Sequence, residues 1–347
     1  MSKFKLTLGI AVMAIIGAVI FYACKKDVIN QEPNVSVKSH KSYNLNTIDF
    51  SRITYNADER MLEFDSLEHY AEVIDALVEI CNQYSENYIA ELEERLGCII
   101  DEADEDTVAA HVIADNFFPF NPLMDFIEQI GFTANSLYPI LREQEIAWMA
   151  NNERFESELN PFDEMGAGYV QSALHNTEGN VKVHKGLGIT QNITMSLSFS
   201  VPIGGTNSDN FCNRKRDKVK SRDYTFTYNG KTRQIRTVLA TTSCNIRGKT
   251  VAYYRNGANK PWLLWLVRVD VDFAGTKWRD CRDGFDHRPI TKSKASHAAA
   301  GLVDVYATFK SDDLPTYIIP DGLPRISGKH WCKHSTNNKV ITEIIDN

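Results

Sequence analysis

Two hydrophobic periods divide this chain, and they change over near Asn176. Before that point, apolar residues recur three and four apart. Leu67, Tyr70, Ile74, Leu77, Cys81, Tyr84 and Tyr88 form one stripe, and Leu92 and Leu96 extend it. A helix turns once every 3.6 residues, so this spacing predicts a long helix with one face in a core. Asp65 or Ser66 is placed to cap its start and Gly97 to end it. The opposite face carries Glu72, Asp75, Glu79, Glu86, Glu91 and Glu93. After Asn176 the period becomes two, the alternation of a strand with one face in and one face out. VKVHKG, NITMSLSFSVP and YTFTYNGKTRQIRTVLATT are rich in Val, Thr, Phe, Tyr and Ile. Asn229-Gly230 lies between two such runs and predicts a hairpin, because its turn needs positive φ. Trp265 to Phe273 and Leu302 to Phe309 read as further strands. The fold expected is therefore α+β: a helical segment followed by an antiparallel β-sandwich or barrel-like domain.

Shorter helices should fill the first half. Thr107 to Asp115 is one. Asn121-Pro122 opens a second that stops at Gly131, with proline in the first turn where no N–H is needed. Asn135 is placed to cap a third, running to about Met149. Asp163 to His175 is a fourth, interrupted in sequence by Gly166 and Gly168.

Charge divides at nearly the same place. Residues 25–166 hold 30 acidic and 9 basic side chains, a net of −21. Residues 167–347 hold 15 acidic and 27 basic, a net of +12, so the overall −7 conceals two opposed halves.

The first residues give an address. Lys3 and Lys5 precede an uncharged apolar run from Leu6 to Phe21. A basic start and an apolar stretch of this length describe a secretory signal. The run falls short of the roughly 20 residues of a relaxed membrane span. Alanine, then Cys24, then the polar Lys25-Lys26-Asp27 resembles the lipobox of bacterial lipoproteins, with Phe21 where leucine is usual. The looseness of the box and the following Lys-Lys-Asp resemble lipoproteins of the Bacteroides phylum. LEFDSLEHY, followed by YVQSALHNTEGNVKVHKGLGI with Leu174, Asn176 and Gly179, resembles a group of those lipoproteins that lack an assigned function. The resemblance implies a signal peptide over 1–23, lipidation of Cys24, and anchorage in the cell envelope, with the outer membrane the expected site. A flexible tether over 24–51, an acidic helical segment over 52–176 and a basic β domain over 177–347 complete the expected layout.

Apart from Cys24, six cysteines remain: Cys81, Cys98, Cys212, Cys244, Cys281 and Cys332. An exported chain invites pairing. On a continuous helix Cys81 and Cys98 would stand about 25 Å apart, too far to bridge. The expected pairs are Cys212–Cys244 and Cys281–Cys332, with Cys81 a buried thiol.

Chemical motifs are sparse. DEADEDT at 101–107 lacks the glycine and closing glutamate of a calcium loop and reads as a solvated acidic loop. HWCKH groups His330, Cys332 and His334 without a fourth ligand nearby, so no metal is expected. Ser296, His297, Asp286 and Asp304 have the residue types of a hydrolase triad but no nucleophile elbow. No glycine-rich phosphate loop is present, and no cofactor is expected. Asp65-Ser66-Leu67 and Asp106-Thr107-Val108 resemble O-glycosylation sites of this bacterial group, and both sit where helix caps belong.

The basic run is more informative. Arg214, Lys215, Arg216, Lys218, Lys220 and Arg222 are followed by Lys231, Arg233 and Arg236, with Tyr224, Tyr228, Tyr253, Tyr254 and Trp262 interleaved. Cations beside aromatic rings suit a polyanion: an acidic glycan or an acidic protein surface. Nucleic acid is not expected on an exported chain. The preferred reading is a non-catalytic envelope lipoprotein whose β domain binds a ligand or partner. The alternatives are a glycan-active hydrolase using carboxylates such as Asp270, Asp272, Asp283 and Asp286, and a structural protein that assembles through its opposed charges.

Overall fold

The long stripe folds as read. In the computed structural model the first helix, α1, spans Leu67–Leu96. The Ser66 hydroxyl accepts the His69 N–H at 3.1 Å. Gly97 closes the helix at φ 69°, where its N–H donates to the Glu93 carbonyl. The structure describes residues 43–185, 189–194, 218–228, 230–241, 245–278, 289–308, 326–334 and 337–345. The leader, Cys24 and most of the tether lie outside them, as do Cys212, Cys244, Cys281, Arg214, Lys215 and Arg216.

Shorter helices follow α1 in the chain: α2 (Glu105–Ala114), α3 (Pro122–Gln129), α4 (Leu137–Ala150) and α5 (Asn152–Ser157) come first. Asp104 caps α2, and Ser136 rather than Asn135 caps α4. The helix expected from Asp163 to His175 is broken. One turn, α6 (Pro161–Glu164), ends before Gly166 at φ 68°, and α7 (Tyr169–Leu174) starts afresh after Gly168.

Two short strands precede α1 and escaped the period analysis. β1 (Ile53–Asn56) and β2 (Met61–Phe64) form a hairpin. β2 then pairs in parallel with β3 (Asn180–Lys185), and β3 pairs with β4 (Ile189–Thr194). This small sheet joins the start of the helical segment to the start of the β segment.

The main β structure is two antiparallel sheets packed face to face. One runs β11 (Leu302–Thr308), β7 (Asn245–Arg255), β6 (Lys231–Thr241), β5 (Lys218–Tyr228), with β8 (Leu263–Leu264) on β7. The other runs β10 (Pro289–Ala298), β9 (Arg268–Trp278), β12 (Ile326–His334), β13 (Asn337–Ile345). Tyr228 pairs with Lys231 around Gly230, as the Asn-Gly signal required. Among the described residues the sheets do not close into a barrel. They approach tightly: a Cβ at Gly275 would lie 2.3 Å from Ile246 Cδ1.

β7 is buried on both faces. Thr250 faces the second sheet, where its hydroxyl bonds His330 Nδ1 at 2.8 Å. Arg247 and Lys249 face the helices and meet Asp163. The order is therefore helices, sheet, sheet. One hydrophobic core runs from Leu67 of α1 through Tyr169 of α7 to Val251 and Val303 of the sheet, and residues 42–347 form one compact unit.

Candidate functional site

A cleft of about 430 Å³ opens where the acidic loop meets the β5–β6 hairpin. Residues 100–105, Val108 and Ala109 form one wall. Tyr228, Lys231, Arg233, Tyr254 and residues 264–266 form the other. The wall positions follow from strand alternation. Lys231 and Arg233 share a face of β6, opposite Tyr228 and Phe226 of β5.

The two cations of the cleft are already matched. The Arg233 side chain is 2% exposed. Its Nε donates to Glu105 Oε1 at 3.1 Å, and a second guanidinium nitrogen bonds the same carboxylate. Its Cζ lies 5.0 Å from the ring centres of both Tyr228 and Trp265. Lys231 Nζ lies 3.1 Å from Asp106, 3.4 Å from Glu105 and 3.7 Å from Asp104. Burial works against the Lys231 charge, but Asp106, Glu105 and Asp104 outweigh it and raise the ammonium pKa. Tyr254 donates its hydroxyl to the Glu105 carbonyl at 3.0 Å, and burial beside three carboxylates raises its pKa. Asp104, the most distant of the three carboxylates from Lys231, is 64% exposed, and Glu102 is exposed. The cations lie deep with Glu105, and Asp104 and Glu102 are the exposed carboxylates of the lining.

A second cluster sits behind β7 and is wholly buried. Arg247 Nε donates to Asp304 Oδ1 at 2.6 Å, and its Nη2 donates to Asp163 Oδ1 at 3.0 Å and to Asp304 Oδ2 at 3.2 Å. Lys249 Nζ contacts Asp163 Oδ2 at 2.5 Å. Tyr306 Oη and the Tyr169 backbone N–H both donate to Asp304 Oδ2, at 2.9 and 3.0 Å. Every charged side chain here is 0% exposed. Burial alone would raise the Asp163 pKa, but Lys249 and Arg247 hold it below the usual carboxylate range. Burial lowers the Lys249 pKa; Asp163 opposes this and the Arg247 charge reinforces it. Tyr169 links the cluster to Glu145, which its hydroxyl bonds together with Arg142 and Asn160.

The residues singled out by sequence divide sharply. Lys220 and Arg222 are exposed on β5, and Lys218 begins that strand. Lys231, Arg233 and Arg236 are not free surface cations. Arg236 is buried, bonds Asp223 at 2.6 and 2.7 Å, and lies over Trp148 and Phe155. Cys81 is a buried free thiol. Cys332, expected in a disulfide with Cys281, is also a buried free thiol, its pKa pushed up to about 12 mainly by burial. Its partner lies outside the described residues. His330 bonds Thr250 in the sandwich interior, and burial lowers its pKa to about 3. No metal-holding group of three His, Cys, Asp or Glu occurs among the described residues.

Among the described residues the triad types do not converge. His297 is 58% exposed beside Glu86, whereas Asp304 is locked to Arg247. Asp270 pairs with Lys333 and Arg268, Asp272 is exposed, and Asp283 and Asp286 lie outside the described residues. Of the two glycosylation-like sites, Ser66 is the cap of α1, and Thr107 bonds the Asp104 cap of α2 at 3.1 Å. Asp163, Arg247, Lys249 and Asp304 carry no signal in the sequence that marks them as a set. Charged residues in a strand with a two-residue period read as its wet face, and here a third layer covers that face.

No family model matches the chain, and no curated protein matches it. A solved structure of a DUF4848 family protein from Bacteroides thetaiotaomicron aligns over 84% of this chain and 100% of that one, with 11% identity and a TM-score of 0.19. A likeness that weak carries nothing over to this chain.

Proposed function

We propose that this is a non-catalytic binding protein of the cell envelope, tethered to the outer membrane through lipid on Cys24, and that the cleft between the acidic loop and the β5–β6 hairpin is its ligand site. The observation that carries the reading is the layering of charge in the cleft. Lys231 and Arg233 are neutralised in its floor, while Asp104, Glu102 and the half-buried ring of Tyr228 stand at its mouth. Carboxylates accept hydrogen bonds from hydroxyls, and ring faces cover apolar C–H surface. Like charges repel an anion at the mouth. The fitting ligand is an uncharged, polyhydroxylated one such as a neutral oligosaccharide. Glu105 and its neighbours already neutralise Lys231 and Arg233 from within the chain, which supports an uncharged ligand over an acidic one at this cleft.

The exposure of Lys220 and Arg222 favours a second reading, an acidic glycan along β5. A glycan-array and envelope-extract screen separates the two. Asp104→Asn with Tyr228→Ala should weaken neutral-glycan binding at least tenfold, and Lys220→Glu with Arg222→Glu should leave it unchanged. The reverse pattern moves the site to β5, and no glycan binding at all sinks the proposal. The anchor is tested separately: Cys24→Ala should abolish labelling by a palmitate analogue, and labelling that survives the substitution refutes it.

A further inference from the structure

The buried ion cluster takes no part in the cleft, and its geometry suits a chemical step. We propose that Lys249 and Asp163 join through an intramolecular amide bond, a covalent cross-link between the central sheet and the helical layer. Nζ lies 2.5 Å from Asp163 Oδ2. A carboxyl C–O bond is about 1.2 Å, so Nζ is within about 3.7 Å of the carboxyl carbon, close to the roughly 3–3.5 Å of reacting atoms held for attack. The two residues are 86 apart in sequence and belong to different layers, so the fold alone brings them together.

The step balances without any co-reactant. Lys249 transfers a proton to Asp163 Oδ2 across their contact. The free amine lone pair attacks the carboxyl carbon, and the charge moves to Oδ1. When the C=O double bond re-forms, Oδ2 leaves with protons from the nitrogen as water. One C–O bond breaks, one C–N bond forms, and nothing is oxidised or reduced. Arg247 Nη2 lies 3.0 Å from Oδ1, the oxygen on which the charge develops, so it stabilises the intermediate as an oxyanion donor. Asp304 grips the same guanidinium at two nitrogens, so its charge is balanced without Asp163. A dry interior favours the uncharged amine and acid, and Arg247 further disfavours an ammonium beside it. Arg247 also favours the Asp163 carboxylate, so the reactive neutral pair is a minor form. An irreversible step can draw on it slowly.

Tryptic mapping of the full-length protein, held at neutral and mildly acidic pH, decides the matter. The expected product is a branched peptide in which residues 248–255 are joined to residues 155–182, lighter by one water than the two peptides together and resistant to cleavage after Lys249. Asp163→Ala should remove the branched species, and Arg247→Met should slow its appearance. If either variant fails to fold, the wild-type map still decides. Two separate peptides with normal cleavage after Lys249, after prolonged incubation at both pH values, overturn the proposal.

Discussion

Gly168→Ala probes how tightly the helical layer is keyed to the sheet. Gly168 has φ −102°, which any residue can adopt, so the glycine is not there for its backbone freedom. It is there for space. A Cβ would lie 1.8 Å from Tyr306 Oη, 2.5 Å from Asp304 Oδ2 and 2.6 Å from Arg247 Nε. All three atoms belong to the buried ion cluster, and none can move without breaking a hydrogen bond. Overpacking costs about 1–3 kcal/mol, and leaving one buried polar partner unsatisfied adds about 1–3 kcal/mol. The expected loss is about 2–6 kcal/mol, a large part of the stability of an ordinary domain. Urea unfolding of residues 42–347 measures it as a lower midpoint at unchanged slope. Tyr306→Phe removes the atom nearest the new methyl group and by itself should cost about 1 kcal/mol for its bond to Asp304. The double variant should therefore be more stable than Gly168→Ala alone, a coupling that a double-mutant cycle isolates. A Gly168→Ala protein within about 0.5 kcal/mol of the parent refutes the steric argument. So does a double variant no better than the single.

Two other measurements follow from buried titratable groups. Burial lowers the His175 pKa to about 4 and the His330 pKa to about 3, from the usual 6.5. Each is neutral in the fold, and the unfolded chain takes up the proton first as pH falls. Their contribution is therefore complete above about pH 6.5 and is lost towards pH 4, at about 1.4 kcal/mol per unit for each. At pH 5 the joint loss is about 4 kcal/mol, and His175→Gln should remove roughly half of that slope; a slope that the substitution does not change defeats the reading. Cys332 should resist iodoacetamide in the native protein and react once it is unfolded, without a reductant, whereas half-buried Cys98 should be alkylated sooner. If unfolded Cys332 stays unlabelled until reduced, it is in a disulfide after all.

What could be read in advance depended on whether the determinant was local. α1 was legible from end to end because its stripe, the Ser66 cap and the Gly97 stop all lie within the helix. The β5–β6 hairpin was legible for the same reason. β1 and β2 were not, since four residues are too few to display a period and β2 finds β3 about 120 residues away. The break at Gly166 was visible as a glycine, but its purpose was not. It turns Asp163 and the Tyr169 N–H onto Arg247, Lys249 and Asp304, which lie far off in sequence. In the cleft, the acids of loop 101–106 and the cations of the hairpin were each conspicuous alone. Their direct pairing, Glu105 with Arg233, could be seen only in the fold.

The opposed charges of the two segments thus meet in part inside the molecule. Buried ion pairs are weak evidence of stability, because desolvation offsets much of their attraction. Their consequence here is geometric. Arg247 and Lys249 lie two residues apart on one face of β7, and Asp163 divides its two oxygens between them. Sliding the helical layer by one residue along the strand would place Asp163 against a residue that faces the second sheet and leave both cations in a dry interior without it. Apolar contacts across the same layer, Tyr169 or Val170 against the sheet, would tolerate such a slip far better because dispersion is not directional. The cluster therefore selects one registration of helices on sheet. That registration also sets where the acidic loop meets the hairpin, and so where the cleft forms.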